Sequence, residues 1–121
     1  LFNELKKGLN SALNITVEVG KAVGTHIVNK KIAPFCKITG SHLFQEGNFQ
    51  EAEKYYDQVI AAEPYNPNAY YNKGACLMNQ QKYKEAIYYI DRALGIEPNH
   101  NLAKKAKETI LEAIRKGQVK M

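Results

Sequence analysis

Three histidines, two cysteines and a scatter of carboxylates are the side chains of this sequence with the most chemistry in them, and their spacing decides how much they can do. His26, His42 and His100 stand far apart, and none has Cys, Asp or Glu at the separation a metal site uses. Cys36 and Cys76 lie 40 residues apart with no CxxC pair. Both fall inside helical patterns, so they read as small buried thiols of a reducing, cytoplasmic compartment. Gly20-Lys21 and Gly24-Thr25 miss the spacing of a glycine-rich phosphate cradle, and no Ser or Cys nucleophile signature is present. Glu51, Glu53, Asp57, Glu85 and Asp91 fall on the outer faces of predicted helices, where a carboxylate is simply solvated. The expectation is a chain without catalytic residues, metal or cofactor, and therefore not an enzyme.

The elements behind this pattern are helices, and they come in a repeat. NFQEAEKYYDQVIAAEP at residues 48–64 and KYKEAIYYIDRALGIEP at 82–98 are 34 positions apart. At that offset Phe49 falls on Tyr83, Ala52 on Ala86, Tyr55 on Tyr89, Gly40 on Gly74 and Leu43 on Leu77. Each unit divides into two helices. In the second unit Asn66 is a good N-cap and Pro67 a good first helical residue, because proline lacks a donor that would be orphaned there. Tyr70, Gly74, Leu77 and Met78 share one face, and the polar Asn79-Gln80-Gln81 ends the helix. Tyr83, Ala86, Ile87, Ile90, Ala93 and Leu94 make the stripe of the next helix, which Pro98 stops. The first unit follows the same plan, with its turn at Glu46-Gly47-Asn48. Small residues at Gly40, Gly74, Ala52 and Ala86 let the two backbones of each hairpin approach closely, while a tyrosine in each of the pairs Tyr55–Tyr56 and Tyr88–Tyr89 is expected in the core.

These residues resemble the tetratricopeptide repeat family. Cys36, Gly40, Leu43, Ala52, Tyr56, Val59 and Pro64 in one unit, and Tyr70, Gly74, Leu77, Ala86, Ile90, Ala93 and Pro98 in the other, sit where that family's 34-residue pattern asks. Thr39 and Lys73 depart from it, standing in place of an aliphatic residue. The resemblance implies an all-α, right-handed superhelical α-hairpin solenoid. The expected organisation is a helical lead-in or degenerate repeat at 1–32, repeats at 33–66 and 67–100, and a capping helix at 101–118 that Asn101 would cap. In the lead-in, Phe2, Leu5, Leu9 and Leu13 have helical spacing, and Gly20-x-x-x-Gly24 would permit a close helix contact. The chain opens on Leu1 rather than Met, which suggests a fragment or processed product.

In a stack of such hairpins the first helices line the concave side. That register turns Lys37, Ser41 and Gln45 of the first unit into a groove, with Asn68, Tyr71, Asn72, Ala75 and Asn79 of the second and Lys105 and Thr109 of the cap. Amide donors would bond an extended peptide's backbone while lysines take a carboxylate. The expected function is a protein-interaction module of a scaffold, adaptor or co-chaperone, holding a peptide or protein segment, an acidic one included. Within the resembled family, a carboxylate clamp for acidic chaperone tails would need Lys37 and Asn72, which are present. Ser41, Leu102 and Ala106 occupy its other places. Self-association is the alternative of a different class. Net charge is +5, with five Lys against two Glu in residues 1–32, six basic against eight acidic groups in 33–100, and six against two in 101–121. Such basic ends are in most cases a solvated surface, so neither nucleic acid nor membrane is the expected partner.

Overall fold

The structure is a computed structural model that describes residues 25–117 and, for side chains, 31–117. The described residues form helices and no strand: α1 (Thr25–Gln45), α2 (Phe49–Ala62), α3 (Pro67–Asn79), α4 (Tyr83–Ile96) and α5 (Asn101–Arg115). They divide into a first unit ending at Pro64, in which α1 packs on α2, and a second beginning at Tyr65, in which α3 packs on α4 and both meet α5. An α-hairpin followed by an α-hairpin and a further helix is the all-α architecture the repeat predicts. The lead-in residues 1–24, including Phe2, Leu5, Leu9, Leu13 and the Gly20–Gly24 pair, lie outside the described residues.

The first helix begins at Thr25, upstream of residue 33 where the first repeat is expected to start, and carries Pro34 in its interior. Pro34 removes one backbone donor, but Ile32, Ala33 and Cys36 around it are buried, and tertiary burial overrides the local break. Thr39 is buried too, in the place of the family's aliphatic residue.

The two hairpin turns share one geometry. The N–H of Asn48 donates to Leu43 O and that of Gly47 to Phe44 O; Lys82 donates to Leu77 O and Gln81 to Met78 O. These paired bonds close the last turn of α1 and of α3 and satisfy carbonyls that would otherwise be orphaned. The geometry requires a left-handed residue, supplied by Gly47 at φ 83° and by Gln81 at φ 63°.

Close helix approach in each hairpin rests on its small residues. A Cβ added to Gly74 would stand 2.7 Å from Ile90 Cγ1 and 3.2 Å from the Ala86 carbonyl oxygen. At Gly40 it would meet the Tyr56 ring at 3.0 Å. Leu43, Val59, Leu77, Ile90 and Ile110 are the largest aliphatic side chains excluded from solvent.

Of the paired tyrosines, Tyr55 and Tyr56 are both buried. The second pair corrects the expectation of one core tyrosine: Tyr88 is exposed and Tyr89 half-buried, because Ile90 fills the core position. Tyr89 instead lies under the Lys73 ammonium, 4.4 Å from its ring centroid, and edge-on to Tyr88. Arg92 stands 5.3 Å over the Tyr70 ring, and its pKa is raised by a hydrogen bond to the Tyr70 hydroxyl.

Candidate functional site

The polar residues expected to face a ligand occupy α1 in the first unit and α3 and α5 in the second. On α1, Lys37, Ser41 and Gln45 are exposed at one-turn intervals. Lys37 is not idle: its ammonium lies 3.0 Å from Glu63, the residue that ends α2. A ligand carboxylate at Lys37 would compete with this internal one.

In the second unit the expected residues differ in their surroundings. Ala75 is buried and offers nothing to a ligand. Asn79 is exposed but turns its amide back to donate to Ala75 O at 2.8 Å, so it serves the end of its own helix. Asn72 is half-buried, and its side chain makes no hydrogen bond to a described residue. On α5, Lys105 and Thr109 are exposed along a hollow that Glu108, Glu112, Ala113 and Lys116 also line. Of the places a carboxylate clamp would need basic, Leu102 is exposed and Ala106 buried.

Asn68 and Tyr71 meet a residue that the sequence reading left out of the site. His100 precedes α5, and its burial is nearly complete at 6% exposure. Its Nδ1 accepts the Ala103 N–H at 3.1 Å, which makes it the N-cap of α5 in place of the expected Asn101. Its Nε2 lies 2.7 Å from Asn68 Oδ1, and its ring stacks on Tyr71 with centroids 5.3 Å apart and planes tilted by 33°. Burial against this ring raises the Tyr71 pKa, so the phenol keeps its proton and remains a donor. The signal was in the repeat: His100 stands 34 positions after Asn66, which caps α3 by accepting the Asn68 N–H at 3.0 Å. Asn101, one place later, is already helical.

The two thiols lie inside the helices. Cys36 and Cys76 are both buried and form no disulfide, and burial pushes the Cys36 thiol up from 9.0 to about 11, away from thiolate. Among the described residues no three of His, Cys, Asp and Glu gather as metal ligands, and no helix is long and apolar enough to cross a membrane.

The sequence and the fold both have counterparts among known proteins. The family model for the tetratricopeptide repeat matches residues 43–110. The chain is 29% identical over 84 residues to a DnaJ homolog subfamily C member 7 homolog of Schizosaccharomyces pombe, covering 66% of this chain and 18% of that protein. It is 30% identical over 71 residues to an Hsp70-Hsp90 organising protein of Plasmodium falciparum, covering 59% of this chain and 28% of the relative. The chain thus spans well under a third of these relatives. Among solved structures, the first repeat domain of Spaghetti (RPAP3), bound to the HSP90 peptide SRMEEVD, superposes with a TM-score of 0.66 at 23% identity, covering 94% of this chain and 93% of that one. The Arabidopsis OM64 repeat domain does so with 0.63 at 26% identity, covering 92% and 88%.

Proposed function

Because the chain belongs to the tetratricopeptide repeat family, we propose that it is a non-catalytic protein-interaction module of a longer adaptor, scaffold or co-chaperone, binding a peptide or protein segment through its first-helix faces. The observation that carries this reading is the row of exposed or half-buried polar side chains that these faces present. Lys37, Ser41 and Gln45 line α1, while Asn68, Tyr71 and Asn72 line α3 with Lys105 on α5. Amide and phenol donors suit a peptide's carbonyls, and the lysines suit its carboxylates. Asn79, spent on its own helix, contributes least.

An acidic tail is the more specific form of the proposal. It is supported by the HSP90 peptide bound to one structural neighbour and by Lys37 and Asn72 in matching places. Leu102 and Ala106 weigh against a full clamp, which leaves Lys105 as the cation of α5 in this reading. Titration of the whole chain with SRMEEVD, with its C-terminal amide, and with the carboxylate-free SRMQQVN-amide tests both levels. Binding of the free acid that drops in the amide supports the acidic form. Equal binding of all three supports a general peptide face. Either binding should weaken about tenfold or more in Tyr71→Ala/Asn72→Ala. A chain that binds none of the three, and forms concentration-dependent dimers by light scattering, would instead be an assembly module.

A further inference from the structure

We infer that His100 is a positioning residue for the α3 face, and that it turns Asn68 into a donor for an oxygen of the bound peptide. The inference rests on the peptide-binding reading above and goes further, to the polarity of the ligand group this face selects.

The chain of reasoning begins at a helix end. An α-helix leaves its first N–H groups without partners, and at α5 the Ala103 N–H is taken by His100 Nδ1 at 3.1 Å. A ring nitrogen that accepts an N–H carries no proton, so in the neutral imidazole the proton sits on Nε2. That nitrogen is therefore a donor, and the atom 2.7 Å from it must be an acceptor, which Asn68 Oδ1 is. The cap thus fixes the tautomer, and the tautomer fixes which way round the Asn68 amide stands. With its oxygen held by His100, its NH2 faces the other way, and it has no acceptor among the described residues. Glu97 is the charged group near the ring, its carboxylate 4.0 Å from Nε2.

Asn68 and Asn72 are four residues apart, hence neighbours on one face of α3, and Tyr71 is held beside them by its stack on the His100 ring. The face offers NH2 hydrogens and a protonated phenol, all capable of donating. Its complement is a peptide segment that brings oxygen acceptors, from main-chain carbonyls or from carboxylates. Asn66, the corresponding cap of α3, accepts the Asn68 N–H through its side-chain oxygen. An imidazole has a second nitrogen on the far side of the ring, and so one residue both caps α5 and reaches α3.

Two variants separate positioning from mere support. Asn68→Asp keeps an acceptor for Nε2–H but replaces the outward NH2 with a second oxygen. His100→Asn keeps a good N-cap but gives up the ring. In 15N spectra of the full chain, wild type and Asn68→Asp should both show a protonated Nε2 and a bare Nδ1 at His100. Titrated with SRMEEVD, Asn68→Asp should lose about tenfold or more in affinity, the scale of one charge-assisted hydrogen bond, and His100→Asn a smaller amount. The carboxylate-free SRMQQVN-amide, run beside it, removes the ligand's negative charges: a loss that persists there assigns the acceptor to main-chain or amide oxygens, and one confined to SRMEEVD assigns it to carboxylates. A proton on Nδ1, or Asn68→Asp binding both peptides like wild type, would overturn the inference while leaving the peptide-binding reading standing. Failure of wild type to bind either peptide would overturn that reading and the donor role with it, and the ring-nitrogen spectrum would then decide the orientation of Asn68 alone.

Discussion

At position 40 of the first hairpin and position 74 of the second, a glycine admits the facing helix, but the residue it admits is different. Tyr56 presents a ring edge to Gly40, and its repeat equivalent Ile90 presents a branched chain to Gly74. The aromatic leaves 3.0 Å to a would-be Cβ, and the isoleucine only 2.7 Å with backbone oxygen behind it. The same turn is closed by Gly47 in one unit and by Gln81 in the other. The same closing glutamate meets a lysine in one and the His100 ring in the other. The 34-residue pattern thus specifies where helices meet, while the individual residues set how tightly.

The largest effect tests the tight side of this contrast. Ile90 is fully buried, and Ile90→Ala should destabilise the chain by about 2–5 kcal/mol in urea unfolding. Gly74→Ala should cost about 1–2 kcal/mol, since overpacking against Ile90 and the Ala86 carbonyl outweighs the roughly 1 kcal/mol that alanine gains over glycine in a helix. Gly40→Ala should be near neutral, because a small tilt of the Tyr56 ring makes room. The double variant Gly74→Ala/Ile90→Ala should cost less than the sum of its parts. Equal losses at Gly40 and Gly74 would show that the two interfaces are equally tight, and strict additivity would show that Ile90 is not what makes Gly74 costly to fill.

A smaller effect is expected at the turns. Gly47→Ala places a Cβ in a left-handed conformation and should cost about 1 kcal/mol. Gln81→Gly relieves the corresponding strain at φ 63° but frees the unfolded chain, so a net gain of about 0.5 kcal/mol is expected. Loss of stability in Gln81→Gly would mean that the glutamine side chain contributes more than its backbone costs.

The repeat made the hairpins legible because periodicity, the Asn66-Pro67 start and the Glu-Pro ends are local signals. Other features depend on partners distant in sequence. The run through Pro34 is held by burial of Ile32, Ala33 and Cys36, which no local pattern announces. His100 was readable as a cap only by register with Asn66; its contact with Asn68, 32 positions away, needed the packing of α5 against α3. The polar positions Lys37, Ser41, Gln45 and Asn72 follow from helical phase alone. Which polar positions are already engaged does not, since that depends on Glu63 just after α2 for Lys37 and on the end of α3 for Asn79.

The smallest effect concerns the closing glutamates. Lys37 and Glu63 form a solvent-accessible ion pair, their side chains 47% and 30% exposed, and such pairs contribute about 0.2–1 kcal/mol. Glu63→Gln should lower stability by no more than that, and the difference should vanish near 1 M salt, where the screening length falls to about 3 Å. Glu97→Gln faces a ring that donates from Nε2 to Asn68 and holds a 4.0 Å separation from the carboxylate, so its effect should be smaller still and nearly independent of salt. Binding moves the other way. Removing Glu63 frees the Lys37 ammonium, and an acidic peptide such as SRMEEVD should then bind about two- to fivefold more tightly, a gain that Glu97→Gln does not share. A salt-sensitive loss in both variants would make the two ends alike in their electrostatics, and unchanged peptide affinity in Glu63→Gln would remove Lys37 from the binding face.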